Sequence, residues 1–160
     1  IKTKEDMIFT CGSGITACII MLACGVGSVL SMLSATLIAV YFSADMTLIA
    51  SLLGKSVTTP IAMEVSSHLG GEPAIAAILV LIVGLFGAIA AYPIYSLLNI
   101  THPIAKGLTM GTVSHALGTA TCAETDPKDA AFGSLALVLC GVITSILAPS
   151  FFDLAVWLSN

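Results

Sequence analysis

The chain has 160 residues, of which 58% are hydrophobic and 9% charged, and its mean hydropathy is +1.08. Soluble domains carry about 25% charged residues, so this composition excludes a soluble enzyme and predicts an integral membrane protein. The net charge of -4 and the lack of a basic patch argue against a nucleic-acid partner.

Three uncharged segments are long enough to cross a lipid bilayer as helices. They comprise residues 20–42, 74–98 and 130–149, and each approaches the ~20 residues that a spanning helix needs. A straight helix that also included the uncharged residues before Ile20 would be roughly 54 Å long, more than the membrane requires. Gly12 and Gly14 therefore predict a break, and residues 1–19 are interpreted as the end of an earlier helix or as an interfacial segment.

The lysines predict the orientation of these spans. Lys2 and Lys4 precede the first span, whereas Lys106 and Lys128 lie between the second and the third. Because lysine-rich loops stay in the cytoplasm, we expect the N-terminus and residues 99–129 to face the cytoplasm. The chain does not begin with Met, and we expect it to form one transmembrane domain that is the C-terminal part of a longer chain.

The segment between the first and second spans is too apolar for a solvated loop and too interrupted for one helix. Residues 46–69 predict two short helices, with Asp45 as the N-cap of the first and Gly54 at its end. Thr59 and Pro60 supply a cap and a first-turn proline for the second helix.

Residues 103–125 repeat this pattern. Pro103 begins a short helix, and a break rich in Gly, Ser and Thr follows from Gly111. A shift of 56 residues lays the sequence 56–58 on the sequence 112–114. If each pair of short helices is a re-entrant hairpin, the single span between them makes the hairpins enter from opposite faces, as in the inverted repeats of many secondary transporters. Alternatively, each pair is one broken helix that crosses fully, and the repeats are parallel.

Two helix starts inside the membrane predict an anion site. The first amides of such a helix are unpaired and carry about half a positive charge. Lys55 adds a full charge, and a lysine at the bilayer centre costs about 3 kcal/mol, which favours a functional role. Alternatively, Lys55 reaches the interface and the neighbouring hydroxyls only cap helices. The candidate substrate-binding residues are Lys55, Ser56, Thr58, Thr59, Gly111, Thr112, Ser114, His115, Gly118 and Thr119.

Three polar residues bear on proton or cation coupling. Because histidine in general titrates near neutral pH, His115 could carry a proton or donate to a carboxylate, or it could simply satisfy backbone carbonyls. Glu64 and Glu124 follow the two breaks, and each is a candidate coupling group or a side chain in a water-filled vestibule. No HExxH, Walker or GxGxxG motif is present, so we expect no enzyme, and no metal or cofactor is required.

Three runs resemble the LrgB/CidB family of bacterial membrane proteins. They are KSVTTPIAMEVSSHLGG (55–71), GLTMGTVSHALGTATCAE (107–124) and AAFGSLALVLCGVITSILAP (130–149). The resemblance covers about residues 20–160 and implies a multi-pass protein of the bacterial inner membrane, typically with a small LrgA/CidA-type membrane partner. We also expect a homo-oligomer, with a dimer favoured.

The resemblance implies two possible functions. The family is named for antiholin-like regulation of murein hydrolase export and autolysis, whereas members are also linked to pyruvate transport and a plastid relative translocates glycolate and glycerate. The hypotheses are therefore a secondary carrier for a small monocarboxylate anion, or an antiholin-like regulator. The broken helices favour the carrier, because a bundle that only assembles needs no such costly interruption.

Two positions depart from the family pattern. Thr121 stands where many members have arginine, and Gly54 replaces a proline that is common just before the first motif. Since the chain has no arginine at all, the role of binding a carboxylate would fall on Lys55 and on backbone amides.

Overall fold

The computed structural model describes the backbone of residues 4–159 and the side chains of residues 14–159. This part of the chain is α-helical and contains no strand. Its helices are α1 (Lys4–Tyr41), α2 (Met46–Leu52), α3 (Thr59–His68), α4 (Pro73–Leu97), α5 (Pro103–Val113), α6 (His115–Thr125) and α7 (Pro127–Ser159). Among them, α1, α4 and α7 are long and apolar enough to cross a membrane. The prediction of an all-α membrane protein with spanning and broken helices is confirmed.

The first predicted pair of short helices is α2 and α3. Asp45 caps α2 as predicted, because its carboxylate accepts a hydrogen bond from the Thr47 amide at 3.1 Å. The N-cap of α3 is Thr58, one residue earlier than predicted, so Pro60 lies in the first turn, where its missing N–H costs little. Gly70 ends the pair with a φ of 78°, a conformation that glycine adopts readily.

The second pair, α5 and α6, breaks later than predicted. The chain remains helical through Gly111, and the break falls at Ser114 and at His115, whose φ is 42°. Ser114 is the N-cap of α6 as Thr58 is the N-cap of α3. The shift of 56 residues that relates the two segments in the sequence therefore also relates the starts of the two half-helices.

Each pair of short helices folds back on itself as an antiparallel hairpin. In the first hairpin, the hydroxyl oxygens of Ser51 and Ser66 lie 3.3 Å apart. In the second hairpin, Met110 and Cys122 share a buried cluster, and a β-carbon at Gly118 would lie 3.0 Å from the Met110 carbonyl oxygen. The alternative of broken helices that cross the membrane fully is thus not adopted.

The two hairpins start at opposite ends of α4. At the first hairpin's base, the Glu72 amide just before α4 donates to the Ser51 hydroxyl at 2.8 Å. At the second hairpin's base, the Tyr95 hydroxyl near the end of α4 donates to the Lys106 carbonyl at 3.2 Å. The hairpins therefore approach from opposite faces, as an inverted repeat requires.

The first and last helices, α1 and α7, run parallel. Cys24 packs near Cys140, 116 positions further along the chain. Ala39 and Ala155 pack together with the same offset. Because the residue numbers increase together along both helices, α1 and α7 point in the same direction.

Two helices are longer than predicted. The predicted break at Gly12 and Gly14 is wrong, since α1 is continuous through both residues. A glycine inside a helix costs only about 1 kcal/mol, whereas an interrupted helix exposed to lipid leaves polar backbone groups unpaired at a higher cost. Helix α7 likewise continues through Pro149, beyond the predicted end of the third span.

Candidate anion site at the hairpin tips

The tips of both hairpins meet at Val80, in the interior of the α4 span. Val57, from the tip of the first hairpin, belongs to the same buried cluster as Val80. His115, from the tip of the second hairpin, donates a hydrogen bond through Nε2 to the Val80 carbonyl oxygen at 2.9 Å. Val80 on α4 thus lies beside one residue from each tip.

Two glycines of α4 let the second tip approach the helix backbone. A β-carbon at Gly84 would lie 2.9 Å from Nε2 of His115, and one at Gly87 would lie 2.6 Å from the Ser114 β-carbon. Real β-carbons do not approach other atoms so closely, so any larger residue would push the tip away. Small residues commonly permit such close approach between membrane helices.

Helix α1 also contacts both tips. From the first tip, the Lys55 ammonium donates to the Ser31 hydroxyl at 2.8 Å, and the hydroxyls of Ser56 and Ser31 lie 2.8 Å apart. One turn earlier on α1, a β-carbon at Gly27 would lie 2.6 Å from Cγ2 of Thr112 on the second hairpin. Residues 27–31 of α1 therefore pack against both hairpins near their tips.

The polar groups at the tips suit a carboxylate. Lys55 is half-buried and supplies a positive charge next to two hydroxyls. Neither Thr58 nor Ser114 uses its side chain to cap its own helix, so the first amides of α3 and α6 receive no such hydrogen bond. Those amides carry the positive end of each helix dipole, and together with Lys55 they are the donors that the two tips could offer to an anion.

His115 is held as a structural residue in this conformation. It is 2% exposed, and because a carbonyl oxygen only accepts, the hydrogen of Nε2 is directed to Val80. This is the geometry expected of a buried histidine that satisfies a backbone carbonyl. Only Nδ1 remains to face another group.

Three further candidate residues stabilise the second hairpin. Gly111 packs against α7, where a β-carbon would lie 2.7 Å from the Ala136 β-carbon. Gly118 packs on the opposite arm of its own hairpin, and the Thr119 hydroxyl donates to the His115 carbonyl at 2.9 Å. These residues position the tip, whereas Thr59, at the first position of α3, lies at the first tip itself.

The two candidate coupling acids lie away from the tips. Glu64 is exposed and bonds His68 at 3.0 Å on the outer face of α3, and Glu124 is exposed near the end of α6. Among residues 14–159, no three His, Cys, Asp or Glu side chains cluster as a metal site would require.

The sequence did not single out two polar residues, Ser31 and Asp129, whose contacts or burial in the structure make them candidates for a role. Ser31 is one serine within an apolar span, and no pattern links it to Lys55. Asp129 follows Lys128 in a charged segment typical of a solvated loop, yet it is buried. In the sequence, only its place at the start of a predicted span could have drawn attention to it.

Comparison with known proteins relates the chain to one family. Residues 16–154 match the LrgB-like family. The chain is 49% identical over 129 residues to an uncharacterized protein of Haemophilus influenzae, covering 81% of this chain and 56% of that protein. It is 36% identical over 136 residues to the antiholin-like protein LrgB of Bacillus cereus, covering 82% and 57%, and 35% identical over 130 residues to YwbG of Bacillus subtilis, covering 81% and 58%.

The chain thus spans a little over half the length of these curated relatives. No solved structure matches it significantly. The length of the family match and the identity to these relatives lead to one conclusion: this membrane protein belongs to the LrgB-like family.

Proposed function

We propose that this protein is a secondary carrier that moves a small monocarboxylate, of the pyruvate or glycolate type, across the bacterial inner membrane. The observation that supports this most is the meeting of the two hairpin tips at Val80 inside the α4 span. Carriers with inverted repeats bind their solutes at such a meeting point, because broken helices there expose backbone donors to a cavity.

Lys55 would supply the charge that selects an anion. Its ammonium lies against Ser31 and Ser56, with no acidic partner among the bonds described for it. A lysine at this depth is costly unless it meets water, an anion or hydrogen-bond acceptors. A solute carboxylate would complete this environment, while the amides of the two half-helices would bind its second oxygen.

Transport by purified protein tests the carrier. The protein, expressed from its whole reading frame, is reconstituted in liposomes and the uptake of labelled pyruvate or glycolate is followed. Removing a charged hydrogen-bond donor costs about 1.5–3 kcal/mol, so Lys55→Ala should weaken anion binding roughly ten- to hundredfold.

Lys128→Ala is the matched control, since Lys128 is exposed at the start of α7, and it should transport like the wild type. His115→Ala should also lower flux, because the second tip would lose its bond to α4. Wild-type liposomes that take up no small anion would overturn the carrier.

An antiholin-like regulator of murein hydrolase export is the second candidate, and the names of the Bacillus cereus relatives favour it. In this role the helices would assemble in the membrane, and no solute would be bound. A strain that lacks the gene should then regain normal autolysis with the Lys55→Ala variant as well as with the wild type. Loss of complementation by a folded Lys55→Ala variant would favour the carrier.

The proposal includes a topology and an assembly. We place residues 99–129 on the cytoplasmic side, and we expect a homodimer that acts with a small LrgA/CidA-type membrane partner. A cysteine introduced at Lys128 should react with an impermeant maleimide only after cells are opened. A cysteine introduced at Ser43, just after the C-terminal end of α1, should react in intact spheroplasts.

A further inference from the structure

Asp129, in the first turn of α7, is a buried acid that the anion site does not use. Its side chain is 1% exposed. Its Oδ2 accepts a hydrogen bond from the Tyr92 hydroxyl at 2.9 Å, and the Lys106 ammonium lies 4.0 Å from the same oxygen. The acid therefore lies where α4, α5 and α7 meet.

The second oxygen of this carboxyl group is buried without a partner. Oδ1 of Asp129 meets no hydrogen-bond donor among the residues whose side chains are described. A buried carboxylate oxygen left unpaired is costly when the group is charged, and much less so when the group is neutral. In the described part of the chain, Lys106 is the cation that can balance the ionised form of Asp129.

The groups around Asp129 come from three other helices. Tyr92 and Tyr95 project from α4, Lys106 from α5 and Cys122 from α6. Lys128 on its own helix and Asp126 just before that helix lie nearer the solvent. Of all these groups, Lys106 is the cation within ion-pair distance of the acid.

Lys106 also borders a polar cavity. A cavity of about 310 Å³ is lined by Tyr92, Tyr95, Ser96, Asn99, Ile100, Thr101 and Lys106. The Lys106 side chain is 23% exposed, whereas that of Asp129 is 1% exposed. Lys106 can therefore face either the buried acid or an anion in the cavity.

We propose that Asp129 is a proton site coupled to anion binding: an anion in this cavity draws Lys106 away, and the buried acid then takes a proton on Oδ1. The proton comes from a hydronium ion that reaches the cavity from solvent, and it returns to solvent water when Lys106 moves back to Asp129. Anion and proton would bind together and cross as a neutral pair, which avoids moving net charge through lipid. This inference rests on the proposed carrier function.

Infrared spectroscopy tests the proton site without any transport. In Lys106→Gln, the acid loses its counter-charge, so a protonated-carboxyl C=O band should appear at neutral pH. That band should be absent from the double variant Lys106→Gln with Asp129→Asn, and it should remain when Lys106→Gln is combined with Asp126→Asn. A Lys106→Gln spectrum without such a band would overturn the proton site.

Transport with an imposed pH gradient tests the coupling. A gradient of one pH unit can drive about tenfold accumulation of an anion that is accompanied by one proton. Asp129→Asn should abolish this accumulation while it retains exchange of labelled for unlabelled anion, and Asp126→Asn should keep both activities. Normal accumulation by Asp129→Asn, equal loss of accumulation and exchange, or accumulation driven by a sodium gradient would each overturn the coupling.

The two experiments separate this inference from the carrier function. If the wild type transports no anion but the infrared band behaves as described, the carrier fails while the proton site stands. If the wild type transports anions but Lys106→Gln shows no band, the carrier stands and the proton site fails.

Discussion

The Nε2 atom of His115 lies 2.9 Å from the carbonyl oxygen of Val80, so the tip of the second hairpin is bonded to the N-terminal half of α4, the spanning helix that separates the two hairpins. His115 also has a φ of 42°, a left-handed conformation that is uncommon outside glycine and asparagine. The break in this hairpin is thus held by one backbone conformation and one buried hydrogen bond.

Replacing His115 should loosen the second tip. His115→Leu removes the donor to Val80 and keeps the strained backbone, so it should lower the free energy of unfolding in detergent by about 1–3 kcal/mol. His115→Asn should cost less, because asparagine tolerates a positive φ and still carries a donor. Equal stability of both variants and the wild type would show that the bond to Val80 does not hold the tip.

Gly87 should be sensitive to the smallest side chain. In Gly87→Ala the new β-carbon would overlap Ser114, and such overpacking costs about 1–3 kcal/mol, more than the gain of up to ~1 kcal/mol from better helix propensity. Gly25→Ala is the control, since nothing lies within 4 Å of a β-carbon there. Thermal unfolding in detergent measures both, and a Gly87→Ala variant as stable as Gly25→Ala would contradict the close packing.

Ser31 should matter for anion affinity through Lys55. In Ser31→Ala the Lys55 ammonium loses its 2.8 Å acceptor, and a lost hydrogen bond to a charged group is worth about 1.5–3 kcal/mol. If Ser31 only positions Lys55 for a carboxylate, the KM for the anion should rise several-fold with little change in kcat. Ser34→Ala, one turn further along α1 and exposed, should leave both constants unchanged, and an equal effect of the two variants would contradict this role.

The parallel arrangement of α1 and α7 can be tested by cross-linking. In a variant without its native cysteines, Ala39→Cys and Ala155→Cys should form a disulfide under mild oxidation, because these residues share a buried cluster. Ala39→Cys with Ala136→Cys should not, since Ala136 packs in the cluster of Ile20, several turns before Ala39 on α1. The disulfide is detected by gel mobility after the chain is cleaved between α1 and α7, because a disulfide keeps the two fragments together. Cross-linking of Ala39→Cys to Ala136→Cys but not to Ala155→Cys would exclude parallel packing.

The sequence predicted the helices because lipid leaves few choices. Apolar segments near 20 residues must be helical, since unpaired backbone groups are too costly in the membrane. Local signals such as Asp45 and Pro103 then placed helix starts correctly. Errors arose at Gly12, Gly14 and Gly111, where glycine was interpreted as a break although it lies inside a helix and, at Gly111, serves close packing.

The site was only partly predictable for a related reason. The 56-residue repeat located both breaks, and Lys55 and Ser114 do lie at the two tips. However, a linear pattern does not specify which helix each tip contacts, so the hydrogen bond between Lys55 and Ser31 on α1 was missed. Glu64 and Glu124 were chosen for their spacing after the breaks, whereas burial singles out Asp129.

By itself, the sequence determined that this is a helical membrane protein with three spans and two broken segments, because composition and length suffice to decide what lipid permits. Only the tertiary structure decided that the broken segments are hairpins, that they meet at Val80, and that Asp129 is enclosed beside Lys106. These features depend on contacts between residues far apart in the chain, where shape and small side chains, rather than local propensity, set which surfaces can approach.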